Sequence, residues 1–197
     1  MVKNSVEAIV MGGSSGALEA LSALLPALPE RCAVPVAIVV HLPPARPSHL
    51  AEVLGARTVL PVREAEDKEP IAAGTVYVAP PNYHLLVERS KTFALSADEA
   101  VLFSRPAIDV LFESAADAYR ERLVGIVLSG ASADGARGLS AVKRRGGVAI
   151  VQSPDGSAAP EMPRAALSMV EADHVLSLPD LASLLGQLAT GRYKDSQ

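Results

Sequence analysis

The chain of 197 residues holds a single cysteine, Cys32, and no tryptophan, and aromatic residues make up only 4% of it. One thiol closes no disulfide within the chain and builds no cysteine-rich metal site. Cys32 reads as a small packing residue rather than a nucleophile. No apolar run approaches the roughly 20 residues that cross a bilayer. No leader-like segment opens the chain, because Glu7 interrupts the first apolar stretch. Basic charge is not in excess either: 18 Lys and Arg stand against 22 Asp and Glu, for a formal net charge of -4. Surfaces that read phosphate backbones usually bring a basic excess. The densest basic run, Lys143-Arg144-Arg145, reads as a solvated helix face. These absences predict a soluble cytoplasmic protein that neither inserts into a membrane nor binds nucleic acid.

What is present is apolar and periodic, with 49% hydrophobic residues and a mean hydropathy of +0.26. Strand-like runs at Val6 to Met11, Pro35 to Val40, Thr58 to Val62, Gly74 to Ala79, Leu123 to Leu128 and Val148 to Gln152 are predicted from continuous apolar character. Helices are predicted over Ala17 to Leu28, Ser48 to Leu54, Ile108 to Tyr119, Asp134 to Arg145, Pro160 to Met169 and Leu178 to Leu188. The alternation implies an α/β fold: a doubly wound, mostly parallel sheet flanked by helices. Leu85 to Glu88 and Thr92 to Leu95 flank a polar turn and predict an antiparallel β-hairpin added to the sheet. The tail from Thr190 is polar and expected to fray.

Ligands on such sheets bind beyond the carboxyl ends of the strands, so chemistry is sought just after each strand. Gly12-Gly13-Ser14-Ser15-Gly16 follows the first strand and opens a helix. A G-x-S-x-G turn there lifts a serine hydroxyl above the sheet edge. A glycine-rich turn also cradles phosphates, but no lysine follows Gly16 and no G-x-G-x-x-G is present. His41 directly follows the second strand, and Asp134 lies shortly after the run ending at Leu128. Serine, imidazole and carboxylate on one edge supply a nucleophile, a base and a group that holds the base. Each has a simpler use: Ser14 can cap the helix after it, and Asp134 can be the N-cap of the helix beginning at Gly135. His49 and His174 read as surface or capping residues. The order Ser, His, Asp is not the Ser, Asp, His order of α/β-hydrolases.

Six segments in order resemble the catalytic domain of bacterial chemotaxis receptor methylesterases, the protein-glutamate methylesterases. They are Gly12-Gly13-Ser14-Ser15-Gly16, Val40-His41-Leu42-Pro43, Tyr77-Val78-Ala79-Pro80-Pro81-Asn82-Tyr83-His84, Arg105-Pro106-Ala107-Ile108-Asp109-Val110-Leu111-Phe112, Gly130-Ala131-Ser132-Ala133-Asp134-Gly135 and Glu161-Met162-Pro163-Arg164-Ala165-Ala166. The resemblance implies a serine hydrolase that demethylates glutamate esters, and deamidates glutamines, on the methylated cytoplasmic helices of chemoreceptors. It implies Ser14 as nucleophile, His41 as base and Asp134 as orienting carboxylate, with backbone N–H groups at Ser15 and Ala131 facing the oxyanion. It implies no metal and no organic cofactor. Three positions depart from the family pattern: Ser15 stands for a threonine, Ala131 for a methionine and Pro81 for a glycine. Members usually carry an N-terminal phosphorylatable receiver domain. Here residues 1–190 are expected to form one catalytic domain and residues 191–197 a polar tail, with no receiver domain. A regulatory partner would then act in trans.

Overall fold

A computed structural model describes residues 5–41 and 48–193. Leu42, Pro43, the expected turn at 43–47 and the tail beyond Tyr193 lie outside the described residues. Seven strands form one parallel sheet in the order β3-β4-β2-β1-β7-β8-β9. They are β1 (Ala8–Gly13), β2 (Val36–Val40), β3 (Val62–Glu64), β4 (Val76–Val78), β7 (Leu123–Val127), β8 (Val148–Gln152) and β9 (His174–Leu176). The remaining two strands, β5 (His84–Val87) and β6 (Phe93–Ser96), pair antiparallel as a separate two-stranded sheet. The hairpin therefore does not extend the edge of the large sheet. It packs over one face, where Phe93 meets Tyr77 edge-on at 4.9 Å between ring centroids. The Val87 amide also donates to Ser114 Oγ (3.1 Å).

The central strands are buried on both sides, which is why they read as unbroken apolar runs. Successive side chains alternate between two cores. Ile9, Met11, Ile38 and Ile126 pack beneath helices α1 (Ala17–Leu24) and α6 (Leu178–Leu188), with α2 (Leu50–Gly55) at the border. Val10, Val39, Val127 and Val151 face α3 (Ile108–Tyr119), α4 (Ala136–Arg144) and α5 (Glu161–Met169). Each fully buried Val, Leu or Ile contributes about 1.5–3 kcal/mol, so the two cores hold the sheet rigid under its loops.

From β1 the chain winds outward through β2 to β4 and β3, then returns to lay β7 against the other side of β1. The winding reverses at the β1–β7 seam, and loops part there beyond the strand ends. Ser14 leaves β1, His41 leaves β2 and the segment carrying Asp134 leaves β7, all at this edge.

Several boundaries differ from the sequence expectation. The third strand begins at Val62 rather than Thr58 because Pro61 has no N–H; its carbonyl instead accepts from the Val76 amide. The first predicted helix ends at Leu24 and tightens into a 3-10 turn over Leu25–Ala27, where Pro26 interrupts the ladder. His174 is not a cap: it lies on β9, a strand the apolar pattern did not reveal, and bonds Tyr193 Oη (2.7 Å). Tyr193 is buried, and Ser5 bridges Arg192, so the chain from Thr190 to Tyr193 is tied down rather than frayed. Within the basic run Lys143 and Arg145 pair with Asp173 and Asp117, while Arg144 donates to Ser140 Oγ. Among the described residues no helix is long and apolar enough to cross a membrane.

Candidate active site

The turn after β1 is tight. Gly16 has φ +79°, and a Cβ there would stand 2.5 Å from Ala158 Cβ, so only glycine fits. The Ser14 carbonyl accepts from Ala17 N (2.9 Å) and the Ser14 amide donates to the Ser129 carbonyl (2.9 Å), fixing the backbone that bears the hydroxyl. The helix that follows takes no side-chain cap. Ser14 Oγ is thus not the capping group that its position would allow, and it bonds no described residue.

Gly130, beyond β7, closes over this turn. A Cβ at Gly130 would meet Ser14 Cβ at 3.1 Å and Met162 Cε at 2.6 Å. The loop is clamped by α5 and the segment before it, through Gly130 N to Ala159 O (3.0 Å) and Met162 N to Gly130 O (2.8 Å). Ser129, which sequence reasoning missed, is the hub of the clamp. Its buried hydroxyl meets the carbonyls of Ser15 (2.7 Å) and Ala159 (3.2 Å), and its amide donates to Gln152 Oε1 (2.9 Å). With the elbow held this way, neither the Ser15 nor the Ala131 amide donates to another described residue, and both residues are exposed.

His41 is anchored to the same turn by its amide, which donates to Gly13 O (3.2 Å). Its ring Nε2 lies 2.7 Å from Asp134 Oδ2. The carboxylate of Asp134 is fully buried and the imidazole is 12% exposed. Asp134 does not cap the helix that follows it, whose N-cap, Gly135, has no side chain to cap with. It caps α3 across the fold instead: Oδ2 also accepts from Ile108 N (2.7 Å) and Oδ1 from Asp109 N (2.9 Å). The positive end of α3 and three donors hold the negative charge in place. Asp109 returns the arrangement, accepting at Oδ1 from Gly135 N (2.9 Å) and Gly138 N (2.7 Å) at the start of α4. Burial, reinforced by the charge of Asp134, pushes the Asp109 carboxyl above its ordinary range. Two helix starts are therefore cross-capped by two buried aspartates, one of which grips His41.

The other ring nitrogen, Nδ1, lies 3.2 Å from Ser104 Oγ. Among the described residues no hydrogen bond joins Ser14 Oγ to His41. Both His41 and Ser104 line a cleft of about 270 Å³ with Asn82, Phe103 and Arg105. His84, buried behind the cleft, bonds Glu99 O (3.0 Å) and accepts from Ala107 N (3.2 Å). It positions the loop that carries Ser104; its place within the Pro80-Pro81-Asn82-Tyr83-His84 segment was the only signal for it. A second hollow, of about 190 Å³, lies at the opposite, amino ends of β7 and β8 beside Lys143 and Asp173. It holds no candidate nucleophile, so the chemistry belongs to the first edge. Cys32 is buried with its thiol on Val34 O (3.2 Å), and burial raises its pKa, which suits packing and not attack. No group of three or more His, Cys, Asp and Glu among the described residues could hold a metal ion.

Residues 9–185 match the family model described as CheB methylesterase. A relative from Leptospira interrogans is 46% identical over 182 residues, covering 92% of this chain and 94% of its own; its name assigns it, provisionally, protein-glutamate methylesterase and protein-glutamine glutaminase activity. A Symbiobacterium thermophilum protein-glutamate methylesterase/protein-glutamine glutaminase is 36% identical over 90% of this chain, which spans 49% of that protein. The crystal structure of the Thermotoga maritima CheB methylesterase catalytic domain superposes with a TM-score of 0.88 at 32% identity, covering 93% of this chain and 99% of that one.

Proposed function

The chain belongs to the CheB methylesterase family, and from that premise we propose that it hydrolyses glutamate methyl esters on the helices of chemoreceptors through Ser14, His41 and Asp134. The observation that carries this reading is the 2.7 Å bond from His41 to the buried, cross-capping Asp134, beside a turn whose Ser14 hydroxyl bonds none of the described residues. Asp134 accepts a hydrogen bond from Nε2–H and so leaves the lone pair of the neutral ring on Nδ1. Ser14 Oγ attacks the ester carbonyl while its proton passes to Nδ1. The oxyanion that forms is met by the amides of Ser15 and Ala131, which donate to none of the described residues and are of the kind whose loss costs about 10²–10³ in rate. Collapse breaks the carbon–methoxy bond, His41 returns the proton and methanol leaves. Water, deprotonated by the same imidazole, then hydrolyses the glutamyl-serine ester and regenerates the enzyme. Attack on a glutamine amide would follow the same course and release ammonia.

Support for Ala131 is that only its backbone is asked to act, so the short side chain costs no donor. Ser15 keeps a hydroxyl, and its carbonyl anchors Ser129. Regulation by a separate partner and a cytoplasmic location fit this assignment. The test is methanol release from methyl-labelled chemoreceptor. Wild-type protein releases label and Ser14→Ala does not; release surviving in Ser14→Ala contradicts the serine mechanism.

A further inference from the structure

The imidazole of His41 is engaged on both nitrogens, and only one partner belongs to the reaction just described. Asp134 Oδ2 can only accept, so Nε2 carries the proton and Nδ1 the lone pair. At 3.2 Å the Ser104 hydroxyl donates to that lone pair. This is the electron pair that must receive the Ser14 proton, and Ser14 Oγ has no bond to it. We propose that Ser104 is a positioning residue that holds the base in a resting arrangement, and that a protein substrate docking on the turn beside it withdraws the hydroxyl and turns Nδ1 over to Ser14. The proposal rests on the roles assigned to Ser14 and His41 above.

The turn supplies the handle. Val101 and Ser104 exchange backbone bonds (3.1 and 2.9 Å), so Ser104 moves with the two residues between them. Those residues, Leu102 and Phe103, have φ of 47° and 65°. Two successive left-handed residues make the kind of tight turn that Asn and Gly usually supply, and bulky side chains hold it at a cost in strain. Yet the turn presents an apolar pair to solvent: Leu102 is 50% exposed and Phe103, which borders the cleft lined by His41, 102% exposed. Burial of that pair against a methylated helix outweighs the single neutral hydrogen bond that Ser104 gives up. A small ester covers neither residue and must displace Ser104 unaided.

The test uses a serine-reactive fluorophosphonate and a small methyl ester on the whole protein, with the modified residue located by peptide mapping. Ser104→Ala, and Ser104→Gly as a second variant, label Ser14 about fivefold faster than wild type, the factor that one neutral hydrogen bond supplies. They raise kcat on the small ester by a similar factor with KM unchanged, while turnover of methylated chemoreceptor rises less. Ser104→Thr, which restores a hydroxyl, returns to the wild-type rate. Labelling of Ser14 at an unchanged or slower rate in Ser104→Ala and Ser104→Gly overturns the proposal and leaves the assignment of Ser14 standing. Labelling at another residue in wild-type protein overturns that assignment, and the proposal with it.

Discussion

At the residue scale, Asp134 carries the most. One carboxylate holds the base through Nε2 and satisfies two amides at the start of α3. Asp134→Asn preserves the shape but offers one acceptor oxygen where three donors converge. It forces the imidazole toward the wrong tautomer or leaves an amide unmet. Turnover of methyl ester is expected to fall by about 10³–10⁴, as when the orienting carboxylate of a serine triad is neutralised. Stability, followed by thermal melting, is expected to fall by about 1–3 kcal/mol. Ser14, His41 and Asp134 were legible because each comes soon after a strand of recognisable character, at the edge where ligands gather. Ser104, Ser129 and His84 were not. None carries a local sign of its role, which comes from partners 63, 30 and 23 positions away.

At the scale of elements, the crossing of α3 and α4 turns two capping interactions into a scaffold for the base. Gly138 lets the helices meet, since a Cβ there would fall 2.6 Å from Phe112 Cβ. Asp109 closes the crossing at Oδ1, but among the described residues its buried Oδ2 has no hydrogen-bond partner, and Arg137 Nε stands off at 3.9 Å. Its raised pKa follows from burial first, opposed by the Gly138 amide and by Arg137, and reinforced by Asp134 and Glu113. The folded protein therefore holds this proton more tightly than the unfolded chain does. Stability from the group is fully present below its ordinary value of 3.8 and is lost as pH rises through the higher folded value. Asp109→Asn keeps the acceptor for Gly135 and Gly138 and removes this dependence. Urea melts of the two proteins are expected to favour wild type increasingly as pH falls from neutral toward 4; a constant difference contradicts the assignment. Helix and strand identities were legible from periodicity, and α3, β8 and α6 fall on their predicted bounds. The cross-capping was not, because it joins helix starts whose only local sign is an aspartate beside an apolar run.

At the scale of the whole molecule, a parallel sheet that reverses direction at the β1–β7 seam gathers three loops at one edge. The continuous apolar strands and the helices between them made that architecture readable. The hairpin's separation from the sheet and the short strand β9 were not readable, because strand partners and three-residue edges leave no periodic trace. Rigid strands beneath these loops keep Ser14, His41 and Asp134 in register, so that the elbow serine is the residue expected to form the covalent intermediate. Rapid acid quench of the protein during turnover of methylated chemoreceptor peptide, followed by fragmentation mapping, tests this most directly. The predicted result is a glutamyl ester on Ser14, absent from Ser14→Ala; an adduct on Ser15 or Ser104, or full turnover with no adduct on any serine, would contradict it.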